Sequence, residues 1–312
     1  GRRIVVAVGG NALIRDPQHQ SVQDQYEMAA ETDHRIAALV QMGLEVTITH
    51  GNGPQVGFIL RRSELAATEL HEVPLEVCVA DTQGAIGYAL QQNLYNDFRR
   101  LGIDRQVASV VTQVEVDPND PAFDSPIKPI GGYLDEEVAL RLKRNGWTVI
   151  EDPDKGWRRV VASPLPRRIV EAPVIRRLMD SGFVVIALGG GGIPVARDEA
   201  GNLRGVAAVV DKDLASALLA SDLDADILAI STTVERVALN YGSPQQRWID
   251  HLTLQQAREF IAEGIHFGRG SMAPKIQAIV QFLEAGGSEG LITNGENLER
   301  AVLGEAGTRI TR

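Results

Sequence analysis

Three lysines of this chain stand in segments that favour phosphate chemistry. Lys212 lies between Asp211 and Asp213 after two valines, Lys275 follows a Gly-Ser-Met-Ala-Pro run, and Lys128 lies within a Pro- and Gly-containing segment. Phosphoryl transfer spreads negative charge over three equatorial oxygens, so positioned cations matter more than a base. We predict that Lys212 and Lys275 flank a transferred phosphoryl group and that Asp213 orients them. The alternatives are a solvated charge run around Lys212 and an exposed loop lysine at position 128.

Glycine-rich segments follow three apolar, β-branched runs. Bare backbone N–H groups at strand ends can cradle anions, since no Cβ obstructs their approach. The alternative for each segment is a tight turn, with Pro54 as an early helix residue. We predict a phosphate site and a neighbouring site for a small carboxylate or carbamate-like acceptor; the phosphate residues are Gly9, Gly10, Asn11, Gly189 and Gly190, and the acceptor residues are Gly51, Asn52 and Gly53. A Walker A loop, the protein-kinase motifs and a Gly-x-Gly-x-x-Gly after the first strand are absent from the sequence.

Composition limits the classes of partner. The 312 residues carry a net charge of -10, and no basic stripe dominates, which argues against nucleic-acid and anionic-membrane partners. The single cysteine, Cys78, excludes an intramolecular disulfide and is expected to be a buried apolar residue, while the six histidines are scattered without metal-ligand spacing. The N-terminal segment has no export cleavage pattern, so we expect a cytoplasmic protein.

Strand-like and helix-like segments alternate, which predicts an α/β fold with a mostly parallel sheet between helices. Apolar β-branched runs at 4–8, 46–49, 107–112, 148–150, 183–188, 227–231 and 291–293 predict strands, most of them buried and parallel. Amphipathic helices are predicted between them, including 22–42, 82–101 and 271–286. One segment, from about 115 to 166, is rich in Pro, Asp and Gly. We predict that it leaves the sheet as a small protruding lid subdomain within a single domain covering 1–312.

Several longer motifs lie in order along the chain: GGNAL from Gly9, HGNGPQVG from His50, TQGAIGYALQQ from Thr82, KPIG from Lys128, GWRRVVASP from Gly156, GGGGIPV from Gly189, VVDKDLASALLA from Val209 and GSM.PK from Gly270. The order and spacing of these motifs give a resemblance to the carbamate kinases of the amino-acid-kinase superfamily over nearly the whole length of the chain. It implies an open eight-stranded sheet, a homodimer, and reversible phosphoryl transfer between ATP and carbamate that usually runs toward ATP. ATP or ADP with Mg²⁺ would be the cofactors, and small molecules the partners.

The resemblance also assigns roles to residues. Lys128, Lys212, Asp213 and Lys275 would be catalytic, with no side chain ligating metal directly, although Asp213 could hold Mg²⁺ through water. The nucleotide would face Thr233, Val237, Tyr241, Gly270, Ser271 and Met272. The chain departs from the family pattern at Glu235, Gly132 and Arg269. Two alternatives stay open: a related kinase with another small acid as acceptor, and a non-catalytic nucleotide-binding homologue.

Overall fold

The chain folds around an eight-stranded sheet flanked by helices, as a computed structural model shows; the structure describes residues 1–9, 12–267 and 272–312. Within these residues the strands of the main sheet follow the spatial order β15-β17-β16-β12-β1-β2-β9-β3, and every neighbouring pair is parallel except β16 with β17. The mostly parallel α/β prediction is therefore confirmed. The strands of this sheet are β1 (Arg3–Val8), β2 (Glu45–His50), β3 (Val107–Ser109), β9 (Val184–Ile186), β12 (Ile227–Thr232), β15 (His251–Thr253), β16 (Glu289–Asn294) and β17 (Thr308–Thr311).

Helices cover both faces of the sheet, because successive residues of a buried strand point to opposite sides. In β1, Val5 and Ala7 pack into one apolar cluster, whereas Ile4, Val6 and Val8 pack into the other. The cluster containing Val5 includes residues of α5 (Ala172–Asp180), α6 (Lys212–Asp222), α7 (Leu254–Glu263) and α8 (Met272–Glu284). The opposite cluster includes residues of α1 (Val22–Gln41), α3 (Leu75–Leu101) and α9 (Leu298–Val302).

Smaller sheets lie outside this layer. One contains β5 (Lys128–Leu134), β7 (Gly156–Val161) and β6 (Thr148–Asp152), all antiparallel, with α4 (Glu136–Arg144) packed on them. A second contains β11 (Leu203–Gly205), β10 (Ile193–Arg197), β4 (Gln113–Glu115) and β8 (Arg168–Ile169), and a third pairs β13 (Val237–Leu239) with β14 (Arg247–Ile249). The β5-β7-β6 sheet and α4 lie within the segment in which we predict a lid subdomain. The boundaries of that subdomain at 115 and 166 remain a prediction.

The β5-β7-β6 sheet is attached to α2 (Gly53–Leu65) by close backbone contact and by a buried ion pair. A Cβ built on Gly57 of α2 would lie 2.3 Å from the Cα of Gly131, which itself has φ +70°. Arg159 of β7 pairs with Glu64 of α2, and both side chains are largely buried. Ile130 packs with Val56 in the same apolar cluster. Glycines at both positions thus let a strand and a helix meet without side chains between them.

The main parallel strands all end at one edge of the sheet. The register pairs Val8 with His50 and with Ser231, and Thr232 with Asn294. Loops that follow these strands therefore converge at that edge, which is the usual place for a ligand in an open α/β sheet. Among the described helices, none is long and apolar enough to cross a bilayer.

Candidate active site

A buried ion-pair triad joins α6 and α8. Asp213 accepts a hydrogen bond from Lys212 at 2.7 Å on Oδ1 and from Lys275 at 2.8 Å on Oδ2. The side chains are 5% exposed for Asp213, 12% for Lys212 and 10% for Lys275. The structure thus brings together three of the four predicted catalytic residues, with two ammonium groups held by a single carboxylate.

Helix α6 begins at Lys212 because Asp211 caps it. The Oδ1 atom of Asp211 accepts from the backbone N–H groups of Asp213 at 2.9 Å and Leu214 at 3.1 Å, as an N-cap aspartate does. The helix is tied to the sheet behind it, since the buried hydroxyl of Ser216 lies 2.7 Å from that of Thr49 in β2. Lys212 therefore projects from the first turn of an anchored helix.

Burial and charge oppose each other at the triad. Burial alone would raise the pKa of Asp213, but the charges and hydrogen bonds of Lys212 and Lys275 outweigh it and lower that pKa from 3.8 to about 2. The pKa of Lys212 is lowered from 10.5, chiefly by burial and further by the charge of Lys275, against the opposing charge of Asp213. The carboxylate is thus ionised throughout the physiological range.

His50, at the end of β2, borders the triad as a neutral ring. Burial, together with the charge of Lys212, lowers the pKa of His50 from 6.5 to about 4. Its Nδ1 lies 3.0 Å from the carbonyl oxygen of Gly51, and a neutral ring in that contact carries the proton on Nδ1. His50 therefore adds no positive charge beside Lys212 at neutral pH.

The predicted acceptor residues lie where β2 gives way to α2. Gly51, Asn52 and Gly53 line the cavity described below, and a Cβ built on Gly53 would meet open space. The side chain of Asn52 is buried, and its Nδ2 donates to the hydroxyl of Thr82 in α3 at 2.9 Å. The side-chain amide of Asn52 thus anchors the segment to α3, and backbone groups of Gly51 and Gly53 face the cavity.

The glycine run 189–192 has a packing reason that the sequence did not reveal. A Cβ on Gly189 would lie 2.6 Å from the ring of His50, and one on Gly190 would lie 2.2 Å from Nδ2 of Asn52. Gly191, with φ +84°, would place a Cβ 2.3 Å from the carbonyl oxygen of Val210. The sequence predicts that these glycines admit a ligand. The described contacts are with protein, and the phosphate role of Gly189 and Gly190 remains a prediction.

These corners surround a cavity of about 1640 Å³ formed by the described residues. This volume exceeds the 300–1,000 Å³ that is ordinary for one small ligand, so a nucleotide and a second small molecule would both fit. The lining residues that belong to predicted or neighbouring motifs are Gly9, Gly51, Asn52, Gly53, Lys128, Gly190, Asp211, Lys212, Asp213, Ser231, Thr232, Thr233, Lys275, Asn294 and Glu296.

Comparison with known proteins assigns the chain to a family. Residues 2–294 match the sequence profile described as the amino acid kinase family. The chain belongs to the amino acid kinase family. It is 46% identical to the carbamate kinase of Thermococcus kodakarensis, over 100% of this chain and 99% of that one, and 48% identical to the carbamate kinase-like protein YahI of Escherichia coli, over 99% and 98%.

Solved structures agree with this assignment. The carbamate kinase of Giardia lamblia bound to AMP-PNP superposes with a TM-score of 0.92 at 39% identity, covering 100% of this chain and 98% of that chain. The main sheet and its helical layers are therefore those of an amino acid kinase. The assignment also makes the chain a phosphotransferase that uses ATP or ADP.

The nucleotide residues expected of an amino acid kinase are placed unevenly. Thr233 lines the cavity, whereas Val237 is fully buried in the core and Tyr241 is 59% exposed. Met272 opens α8 and packs against the core next to it. Gly10, Asn11, Gly270 and Ser271, like Arg269, lie outside the described residues. The nucleotide assignments therefore remain predictions.

Two functional positions were missed from the sequence. From the sequence, Asp211 is treated only as a flanking charge, although an Asp directly before the first residue of a helical pattern is an N-cap signal. Gln83 was noted only within a longer motif; its Nε2 donates to the carbonyls of Thr112 and Gly189, and its Oε1 accepts from the N–H of Thr112. This amide joins α3 to the glycine run, and nothing in the local sequence marks such a long-range role.

Proposed function

We propose that this amino acid kinase transfers a phosphoryl group reversibly between ATP and carbamate. The observation that carries the proposal is the buried triad of Lys212, Asp213 and Lys275 at the edge of a two-ligand cavity. The similarity to carbamate kinases over the full chain supports carbamate as the acceptor.

The triad suits charge stabilisation in the transfer step. A carbamate oxygen forms a bond to the γ-phosphorus of ATP while the bond from that phosphorus to the bridging oxygen breaks, and its electron pair leaves with ADP. The transferred group is surrounded by negative oxygens, and Lys212 and Lys275 would offset that charge within a site shielded from water. Asp213 keeps both ammonium groups oriented, so no rearrangement is needed as charge moves.

Lys128 and the glycine corners would complete the site. Lys128 lines the same cavity from β5, with its side chain 32% exposed. Gly51, Asn52 and Gly53 would hold the acceptor, and Gly9, Gly10, Asn11, Gly189 and Gly190 the phosphates. The N-terminus of α2 at this corner carries a partial positive charge, which favours an anionic acceptor.

Magnesium would enter with the nucleotide. Among the described residues no group of three His, Cys, Asp or Glu side chains could hold a metal ion, and Asp213 already uses both oxygens on lysines. We propose that Mg²⁺ binds the phosphates of ATP or ADP, as small hard cations do in kinases.

The resemblance to carbamate kinases suggests a homodimer in the cytoplasm. It also suggests that the reaction runs toward ATP as part of arginine catabolism. One surface supports the dimer: Val77, Tyr88 and Tyr95 lie on one face of α3 and are 42%, 58% and 38% exposed. A second copy of the chain would cover these apolar groups. Light scattering should show a dimer that Val77→Glu dissociates, whereas Val174→Glu, at an exposed position of α5, leaves it intact.

The proposed reaction is tested with purified protein, Mg²⁺, ADP and carbamoyl phosphate, with ATP formation followed by luciferase. Acetyl phosphate replaces carbamoyl phosphate in a parallel reaction. Rapid ATP formation with carbamoyl phosphate as the donor, and none with acetyl phosphate, supports the proposal. ATP formed only from another acyl phosphate would make the chain a related kinase, and tight ADP binding without turnover on any donor would make it a non-catalytic homologue.

A related kinase that phosphorylates another small acid is a second candidate for the function, and one comparison favours it. The relative that is 48% identical is described only as carbamate kinase-like, so its name leaves the acceptor open. A panel of small carboxylic acids with ATP, followed by ADP release, separates the two candidates.

A further inference from the structure

Asp211 contacts two elements that are far apart in the chain. Its Oδ1 caps α6, and its Oδ2 accepts from Lys128 Nζ at 3.2 Å, across 83 positions of sequence. The Asp211 side chain is 22% exposed and that of Lys128 is 32% exposed, and both line the cavity. The carboxylate therefore links the helix that carries Lys212 to the strand that carries Lys128.

The surrounding backbone makes this link a matter of side-chain position. Val209, shortly before Asp211, donates its N–H to the carbonyl of Ala162 at 3.0 Å, and Lys128 is paired with Val161 in the β5-β7 ladder. The backbones of both partners are thus fixed near each other. The free variable is the Lys128 side chain, whose four rotatable bonds allow many positions.

The charges around the cavity show why such a restraint is useful. Lys128, Lys212 and Lys275 are opposed by Asp211 and Asp213, and each lysine contacts one of the two carboxylates. Lys212 and Lys275 are held in a buried pair, whereas the Lys128 pair is partly exposed and therefore weak. An arriving phosphate or carboxylate can then take over one donor of the ammonium group without breaking a buried contact.

We infer that Asp211 is a positioning residue that caps α6 with one oxygen and holds Lys128 over the cavity with the other. Lys128 would then be placed before the anionic substrate arrives. This inference rests on the proposed function, since it assigns Lys128 to that substrate. It concerns Asp211, which has no role in the proposed transfer itself.

The test separates capping from positioning. In Asp211→Ser the hydroxyl can still cap α6, but it is too short to reach Lys128; Asp211→Asn keeps the cap and loses the charge. Asp135→Ser is the matched control, because Asp135 caps α4 through the N–H of Val138 at 2.8 Å, away from the triad. The three variants and the wild type are compared by the rate at which an amine-reactive reagent labels Lys128, read by peptide mass spectrometry, by hydrogen exchange over α6 and by steady-state kinetics.

In the ligand-free protein we expect both Asp211 variants to increase the rate at which Lys128 is labelled and to leave deuterium uptake over 212–222 unchanged, because they free a side chain and keep the helix cap. In the kinetic assay KM for carbamoyl phosphate should rise about three- to tenfold, the cost of ordering one long side chain, with KM for ADP unchanged. In a Lys128→Met background Asp211→Ser should add nothing further, and Asp135→Ser should match the wild type.

A Lys128 labelling rate that stays at the wild-type value in both Asp211 variants would overturn the inference. Uptake that rises over 212–222 instead would reduce Asp211 to a helix cap and would overturn it as well. If the wild type itself forms no ATP, the proposed function fails, and the labelling measurement still decides whether Asp211 holds Lys128.

Discussion

Replacing Asp213 by Asn tests how the triad is held together. The carboxylate is 5% exposed and bonds two ammonium groups, so Asp213→Asn leaves two buried lysines without a counter-ion. Removing one partner of a buried ion pair costs about 3–5 kcal/mol, and we expect about 3 kcal/mol here because the Asn oxygen still accepts one hydrogen bond. The free energy of unfolding is measured by urea denaturation at neutral pH.

The pH dependence of that loss follows from the pKa of Asp213. Its folded-state pKa is lowered from 3.8 to about 2, so its stabilising effect is present above 3.8 and is lost as the pH falls toward 2. The shift corresponds to about 2 kcal/mol at neutral pH. The difference between wild type and Asp213→Asn should therefore be constant from neutral pH down to roughly pH 4 and shrink only below it.

Asp104→Asn is the control, because Asp104 is exposed and lies away from the triad. It should change the free energy of unfolding by less than about 0.5 kcal/mol. Inorganic phosphate should restore part of the stability of Asp213→Asn by binding between the lysines. A loss no larger than that of the control, or a difference that already falls between neutral pH and roughly pH 5, would refute our account of the triad.

Three further predictions concern a helix contact, a lysine and the cysteine. Gly57→Ala should destabilise the protein by about 1–3 kcal/mol in urea denaturation, since its Cβ would lie 2.3 Å from Gly131, whereas Gly84→Ala, at an exposed helical site with open space, should stabilise it by about 0.5–1 kcal/mol. Equal effects would contradict the close contact. The rate of ATP formation should decrease at alkaline pH, and the midpoint of this decrease should lie below the ordinary lysine pKa of 10.5. Burial lowers the pKa of Lys212, and this group must stay protonated for turnover; a midpoint at or above 10.5 would contradict this. Cys78 should react with a thiol reagent only after unfolding, since it is buried with a pKa raised to about 11, and rapid labelling of the native protein would show otherwise.

The sequence predicted the main sheet well because buried parallel strands are continuous apolar runs. The runs at Ile4–Val8 and Phe183–Leu188 became β1 and β9, and the helix beginning at 22 is capped by Ser21. The run at 148–150 joined the antiparallel β5-β7-β6 sheet instead, since a short apolar run does not specify its partner. The short strands β13, β14 and β15 were missed, because three mixed residues carry too little periodicity.

The site was predicted in its charges and missed in its supports. Lys212 and Lys275 could be predicted to act together because each lies at the start of a helix. Two valines precede Lys212, and a glycine-containing corner precedes Lys275. The packing of His50 and Asn52 against Gly189 and Gly190 could not be predicted, because the local sequence does not show which residues lie beside them. Contacts between positions this far apart depend on the whole fold.

The most direct test of phosphoryl transfer by this triad is ATP formation from carbamoyl phosphate and ADP by the wild type, Lys212→Ala and Lys275→Ala. Each variant should lose about 10²- to 10³-fold in kcat, since removing one preorganised charge donor from a shielded site costs about that much. Circular dichroism and ADP binding confirm that the variants are folded. Loss of turnover in both folded variants is the result we predict; turnover at the wild-type rate in either one would contradict the charge-stabilising role of the triad.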